Sequence, residues 1–167
     1  GGSYRLTQYL LDLGYRKVAY IAGPREVSTA QDRLEGFKQA MSEANLKPIG
    51  IWYGNFTYES GYSNAQEILH SASVDAIMAG NDLMAVGAIR AAEKLGFHIP
   101  RDIGVTGFDH LPIVSNVIQP RLTTVCVPAY EIGRKAAEIF TQRGEVIGAR
   151  RVVLSTELIC GDSCCRF

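Results

Sequence analysis

The sequence predicts an α/β fold in which a parallel sheet is covered by helices on both faces. Along the 167 residues, short runs rich in β-branched residues alternate with longer stretches whose apolar residues recur every three or four positions. Strands and helices that alternate at this spacing are typical of parallel sheets with crossover helices. The composition agrees, because 47% hydrophobic and 20% charged residues are ordinary for a globular chain that buries one sizeable core.

The strands are predicted from short apolar runs bounded by turn residues. The most apolar of them is KVAYIAG, and the last, VVLSTELI, alternates apolar and polar residues. The predicted strands span 17–23, 49–53, 75–80, 103–109, 122–128 and 152–159.

The helices are predicted from apolar stripes and from the residues that begin and end them. In the first, the stripe of Leu6, Tyr9, Leu10 and Leu13 stops at Gly14. The fourth begins at Asn81 or Asp82 as its cap and ends at Gly96, and 110–122 is expected to be a loop with at most one helical turn. The other predicted helices span 30–44, 58–70 and 128–143.

Charge and hydropathy exclude several classes of protein. Lys and Arg together number 17 and so do Asp and Glu, so this chain carries none of the basic excess with which proteins grip nucleic acid. No apolar run approaches the roughly 20 residues that span a bilayer, and no export signal is evident. The four cysteines, three of them in the last eight residues, form no C-x-x-C pairs and are interpreted as reduced thiols on a frayed cytoplasmic tail rather than a metal site.

The motifs of common cofactor sites and active sites are absent. The sequence has no G-x-G-x-x-G after a strand, no G-x-x-x-x-G-K-[ST] and no G-x-S-x-G, so no dinucleotide, phosphate-loop or hydrolase site is indicated. No cofactor is expected. An enzyme on a flavodoxin-like or related sheet is an alternative, but it would need a nucleophile or metal constellation that the sequence does not reveal.

The residues just after the predicted strands offer a set of side chains suited to a small polyhydroxylated ligand. In parallel sheets, ligands bind at the carboxyl ends of the strands. A carboxylate or guanidinium there can bridge two adjacent hydroxyls, and an aromatic ring can pack on the C–H face of a sugar. The candidates are Ser28, Thr29, Arg33, Trp52, Phe56, Asn81 and Asp109.

Each candidate also has an ordinary structural interpretation. Arg33 could pair with Asp32 or Glu35 on a solvated helix face, and Asn81 could be only a helix cap. Thr29 could be a plain helix-start hydroxyl, and both Phe56 and Trp52 could belong to the core. Asp109 fits a core poorly, because burial of an unpaired carboxylate is costly.

Four segments of the sequence resemble the LacI/GalR family of bacterial transcription regulators. They are GYRKVAYIAGP with RLEGF, DAIMAGNDLMAVGAIRAAEKLGFHIPRDIGVTGFD, PRLTTVCVPAYEIGRKAAEIF and STELICGDS, in which Gly161 stands where an Arg is common. The resemblance covers nearly the whole chain. It implies a type I periplasmic-binding-protein-like fold, in which two α/β subdomains are joined by three crossovers and a small effector binds in the cleft between them.

The resemblance also divides the chain and implies that about half of a typical member lies upstream. Residues 16–121 would form the C-terminal effector-binding subdomain, completed by a last strand and tail at 151–167. Residues 1–15 and 122–150 would provide helices of an incomplete N-terminal subdomain. The family's effector contacts, carried over residue by residue, are Thr29, Arg33, Phe56, Asn81 and Asp109.

Two positions depart from the family pattern. Val27 stands where purine-responsive and some sugar-responsive members have a polar residue, and His110 stands where a second Asp or Asn is usual. The departure at Val27 leaves the ligand class open, and the expectation of a sugar or related polyol rests on the side chains that follow the strands.

The resemblance further implies a cytoplasmic repressor that is controlled by its effector. It predicts a homodimer through Val86–Arg90 and Val117–Ile118, although ordinary packing is an alternative for these segments. It also predicts contact with operator DNA only through an N-terminal head outside this chain, and no membrane partner. Effector binding would shift the population of DNA-competent dimers. The alternative within the same fold is a periplasmic sugar-binding protein of an ABC transporter, which would need an export signal and usually lacks the LTTV segment.

Overall fold

A computed structural model describes residues 1–115, 117–141 and 152–165. Its main sheet has four parallel strands in the order β2-β1-β3-β4: β1 Val18–Ala22, β2 Gly50–Tyr53, β3 Ala76–Ala79 and β4 Gly104–Thr106. The helices are α1 Gly2–Asp12, α2 Ser28–Glu43, α3 Tyr58–Ser71, α4 Asp82–Lys94, the short α5 Pro112–Ser115, and α6 Ala129–Thr141. The expected end of α6 at 143 lies outside the described residues.

The sheet is covered on both faces, as the alternating pattern predicts. Along β1, Tyr20 faces a core cluster that contains α1 and α2, whereas Ile21 faces a second cluster that contains α3 and α4. Both side chains are buried because adjacent residues of a strand point to opposite sides of the sheet. The doubly wound α/β prediction is therefore confirmed.

Helix α1 packs in the core cluster on the Tyr20 side of the sheet. Its stripe residues Leu6 and Leu10 are fully buried against β1 and α2, beside Phe37, whose ring stacks on Tyr20 with centroids 4.6 Å apart. This packing is at odds with assigning residues 1–15 to a neighbouring subdomain. An apolar stripe shows that a helix is buried on one side, but it does not identify the sheet that covers it.

Helices α3 and α4 approach each other through two glycines. A Cβ atom added at Gly87 would lie 2.2 Å from the carbonyl oxygen of Tyr58, and one added at Gly61 would lie 2.2 Å from that of Met84. The two backbones therefore touch. This contact fixes the direction of α4, whose first turn carries part of the candidate site.

Beyond β4 the chain forms a second, two-stranded sheet. Strands β5 Thr124–Cys126 and β6 Glu157–Ile159 pair antiparallel, and single bridges join Thr106 to Thr123 and Asp109 to Cys126. The predicted final strand at 152–159 is too long, because residues 152–156 form no strand. The frayed-tail interpretation is wrong for Ser163 and Cys164, which are buried against β4.

Helix α6 carries apolar side chains that nothing described covers. None of the described residues of this helix is buried, and Tyr130 and Phe140 are 80% and 85% exposed. Ile132 and Ile139 line a cavity of about 510 Å³ with 152–154. Among the described helices, none is long and apolar enough to cross a membrane.

Candidate ligand-binding site

The candidate residues gather at the carboxyl edge of the sheet. Asn81 follows β3 and Asp109 follows β4, while Arg33 comes from the second turn of α2, just after β1. Phe56 lies between β2 and α3. Four strand ends therefore contribute to one region, as expected for a parallel sheet.

Arg33 and Asp109 form the central contact of the site. An Arg33 Nη2–H donates to Asp109 Oδ1 at 2.7 Å, and Nη1–H donates to the carbonyl oxygen of Gly80 at 2.6 Å. The guanidinium carbon also lies 4.1 Å from the centre of the Phe108 ring. These contacts hold Arg33 at the sheet edge and not against Asp32 or Glu35 on its own helix.

The two charges are half-buried rather than solvated. Their side chains are 17% and 27% exposed. Burial raises the pKa of Asp109 above its ordinary value, and the positive charge and hydrogen bond of Arg33 oppose that rise. The pair therefore presents a desolvated carboxylate and a guanidinium with spare donors, which suits two neighbouring hydroxyls of a ligand.

The backbone at Asp109 is strained. Its φ is 105°, and that of His110 is 55°, so two consecutive residues with side chains occupy the left-handed region. Such conformations persist only where surrounding contacts enforce them, and they cluster at binding sites. The bond from the Asp109 N–H to the Val125 carbonyl, at 2.9 Å, is one such contact.

Asn81 and Phe56 form a second contact of the site. Asn81 caps α4 by accepting a hydrogen bond from the Met84 N–H, and its side-chain amide donates to the Phe56 carbonyl oxygen, both at 3.0 Å. The Phe56 ring lies over Gly23 so closely that a Cβ there would be 2.2 Å from it. Asn81 therefore combines the cap with a structural link to the aromatic residue, whose φ is 68°.

The Thr29 side chain is exposed, and within the described part of the chain its hydroxyl makes no hydrogen bond to the other four residues. It lines a cavity of about 430 Å³ together with Arg33, Phe108 and the first residues of the chain. Trp52 is partly buried, and its indole N–H donates to Glu67 at 2.9 Å, away from the site. The core interpretation of Trp52 fits this placement better than the ligand interpretation.

Two residues of the site escaped the sequence analysis. Phe108 lies under the Arg33 guanidinium, and Asp82 is a buried carboxylate directly beside Asn81. Asp82 is one of the polar residues that follow β3, but Asn81 alone accounts for the helix cap, so no separate signal singled out Asp82. Within the described ranges, no three His, Cys, Asp or Glu side chains are grouped to hold a metal ion.

An α/β core with polar groups converging at the carboxyl ends of its strands is the arrangement in which parallel sheets bind small ligands. The model of the family described as "Periplasmic binding protein-like domain" matches residues 7–164. The chain belongs to this family, and the predicted type I fold is confirmed.

The related sequences are regulators of transcription. The HTH-type transcriptional regulator CelR of Thermobifida fusca is 34% identical over 98% of this chain and 49% of its own length. The ribose operon repressor of Haemophilus influenzae is 37% identical over 85% of this chain and 43% of its own length. The chain thus spans about half the length of these relatives, and the resemblance to the LacI family is confirmed. The relatives are regulators rather than enzymes.

Solved structures agree with the sequence relatives. A CelR–cellobiose complex matches with a TM-score of 0.92 and 35% identity over 98% of this chain and 51% of that one. The lac repressor dimer bound to operator and the anti-inducer ONPF also matches with a TM-score of 0.92, at 26% identity over 98% of this chain and 58% of that one.

Proposed function

We propose that this chain is the greater part of the effector-sensing domain of a LacI-type transcription repressor. The observation that carries the proposal is the Arg33–Asp109 pair at 2.7 Å, held half-buried at the carboxyl edge of the sheet by Gly80 and Phe108. A structural ion pair would not need a left-handed backbone at its acid. The strain has a use if it aims the carboxylate at a ligand.

A sugar or related polyol is the effector class that these groups suit best. The carboxylate of Asp109 and the free donors of Arg33 complement adjacent hydroxyls, and Thr29 adds a hydroxyl on the wall of the cavity that Arg33 and Phe108 also line. Support comes from CelR, which was solved with cellobiose.

The site as described is one wall of a cleft. The uncovered apolar face of α6 and the 510 Å³ cavity beside it suit a further layer of structure that the longer relatives have room for. We assign 122–150 to a crossover and helix of that N-terminal subdomain. An effector that touches both subdomains would favour one closure angle, and closure would control a DNA-binding head in the same polypeptide.

A homodimer is proposed through an apolar groove that residues of α4 and α5 line together with their neighbours. We call it the α4–α5 groove; it encloses about 200 Å³ and is lined by Tyr58, Leu83, Val86, Arg90, Ile113, Val114, Val117 and Ile118. Ile113 and Val117 are 75% and 77% exposed, and exposed apolar patches of this kind mark interfaces. The lac repressor neighbour is a dimer. Operator binding through a separate head would place the protein in the cytoplasm.

The test is a thermal-shift screen of full-length protein and its Asp109→Ala variant. Cellobiose, ribose, nucleosides and purines are the probes, because a ligand that binds only the native state raises the melting temperature. We expect a disaccharide or pentose to give the shift. We expect Asp109→Ala to weaken its binding about 10- to 100-fold, the scale of a hydrogen bond to a charged group.

The matched control is Asp102→Ala. Asp102 is also a paired carboxylate, but it bonds His98 and Arg101 before β4, away from the site. This variant should bind the probe like the wild type. Equal binding by Asp109→Ala would remove Asp109 from the site, and a shift with purines alone would overturn the proposed ligand class.

A further inference from the structure

Asp82 is a buried acid that the proposed ligand contacts do not use. Its side chain belongs to a residue that is 1% exposed, at the first position of α4. The helix does not need it as a cap, because Asn81 already accepts the Met84 N–H. A buried carboxylate is costly unless its oxygens are bonded, so the partners of Asp82 indicate what it does.

The two oxygens of Asp82 bond to different parts of the chain. Oδ2 accepts the Leu111 N–H at 2.7 Å, and Oδ1 accepts the Thr124 hydroxyl at 2.6 Å. The first partner follows the strained pair Asp109–His110, and the second is the first residue of β5. One carboxylate therefore joins the turn at 109–111, which we call the effector turn, to the segment that leads into α6.

The surrounding backbone is built to admit this carboxylate. The Asp82 N–H donates to the Phe108 carbonyl at 2.8 Å, which places α4 against the start of the effector turn. A Cβ atom at Gly107 would lie 2.4 Å from Asp82 Oδ1, so only glycine leaves room for the carboxylate. These contacts adjoin the left-handed backbone at 109 and 110, a conformation that persists only where surrounding contacts hold it.

We propose that Asp82 is a positioning residue that holds the effector turn in its binding conformation and couples it to β5. The inference rests on the proposed function for the meaning of the effector turn. In this arrangement, a ligand that shifts Asp109 pulls on Leu111, and the Asp82 carboxylate passes the shift to Thr124. Strand β5 leads directly into α6, the helix assigned to the other subdomain.

Amide hydrogen exchange of the chain without any ligand tests the positioning role. The measurement is the exchange rate of the Leu111 amide relative to that of the Ile77 amide in the centre of the sheet, because this ratio separates local opening from global unfolding. In Asp82→Ala we expect the ratio to rise about tenfold or more, since a bond to a charged acceptor is lost. Asp82→Asn keeps an acceptor for Leu111 and should stay within about twofold of the wild type.

The control for this effect is Asp75→Ala. The Asp75 carboxylate also accepts backbone N–H groups, from Arg16 and Lys17, but at the other end of the sheet. This variant should leave the Leu111 ratio unchanged. An unchanged ratio in Asp82→Ala, or an equal rise in Asp75→Ala, would overturn the positioning role.

The coupling to β5 is tested by two neighbouring threonines. Thr124→Val removes the hydroxyl that bonds Asp82, and we expect the Leu111 ratio to rise about fivefold, as for loss of one neutral hydrogen bond. Thr123→Val is the matched control, because Thr123 is equally buried but its hydroxyl accepts the Gly161 N–H. Equal ratios in the two threonine variants would overturn the coupling. The comparison of these two variants also tests the coupling if Asp82→Ala does not fold.

None of these measurements needs an effector, so they stand apart from the test of the proposed function. If no sugar, nucleoside or purine shifts the melting temperature but the Leu111 ratio responds as expected, the ligand assignment fails and the role of Asp82 in holding the turn stands. If a sugar binds through Asp109 but the ratio does not respond, the function stands and the inference fails.

Discussion

At the scale of single residues, the carboxylates of this site show how burial and partners set charge. Asp109 has a guanidinium beside it, whereas the Asp82 oxygens accept hydrogen bonds from a hydroxyl and a backbone N–H. Burial raises the pKa of Asp82 to about 6, with the hydrogen bonds from Thr124 and Leu111 opposing the rise. The charged groups that also act on it are Asp109, which raises the pKa, and His110, which lowers it.

Stability should therefore depend on pH through Asp82. The folded-state pKa is raised, so the favourable contribution is fully present below about pH 4 and is lost as the pH rises through about 6. The difference between the ordinary pKa of an aspartate and a pKa of about 6 corresponds to about 3 kcal/mol. We expect the free energy of unfolding of the wild type to fall by up to that amount, relative to Asp82→Asn, between these pH values.

Urea unfolding of the two proteins across this range measures the effect. Comparison with Asp82→Asn matters because the pKa of Asp109 is also raised and adds a pH dependence of the same sign in both proteins. A constant difference between the two proteins from pH 4 to pH 7 would contradict the prediction.

At the scale of helices and strands, the contact between α3 and α4 makes a sharp prediction. Gly87→Ala would place a Cβ atom 2.2 Å from the Tyr58 carbonyl and 2.6 Å from the Tyr62 nitrogen, and backbone cannot yield as a flexible side chain does. We expect a loss of about 1–3 kcal/mol in the free energy of unfolding, the usual cost of overpacking, measured in urea.

The control is Gly133→Ala in α6, where nothing lies within 4 Å of the added Cβ. Alanine favours a helix over glycine by about 1 kcal/mol, so this variant should be neutral or more stable. If both variants lost stability equally, the cost at Gly87 would not come from the helix contact.

Helices and strands were predictable from sequence where the signal is local, but the elements that they pair with or pack against were not. Periodicity placed β1 and α3 within about one residue of their bounds, because a buried strand or an amphipathic helix shows its pattern in its own residues. The antiparallel pairing of β5 with β6 and the burial of α1 depend on residues far away in the chain. The same limit applies to the site: strand ends indicated Arg33 and Asp109, but their bond joins residues 76 positions apart.

At the scale of the whole molecule, two uncovered apolar surfaces have different proposed partners. The face of α6 is assigned to the rest of the same polypeptide, and the α4–α5 groove to a second copy. If so, a charge placed in the groove should weaken self-association, whereas a charge beside α6 should not. Val117 and Val153 are a matched pair for this comparison, because they are 77% and 76% exposed and neither is a core residue.

We therefore expect Val117→Arg to shift this chain from dimer towards monomer in sedimentation velocity. The dissociation constant of the dimer should be at least tenfold larger, because burying an unpaired charge in the groove costs about 1.4 kcal/mol or more. Val153→Arg should sediment like the wild type. Both variants should keep the melting temperature of the monomer, because both side chains are exposed. If Val153→Arg dissociated the dimer and Val117→Arg did not, the two copies would meet through the α6 face, and the partners proposed for the two surfaces would be wrong.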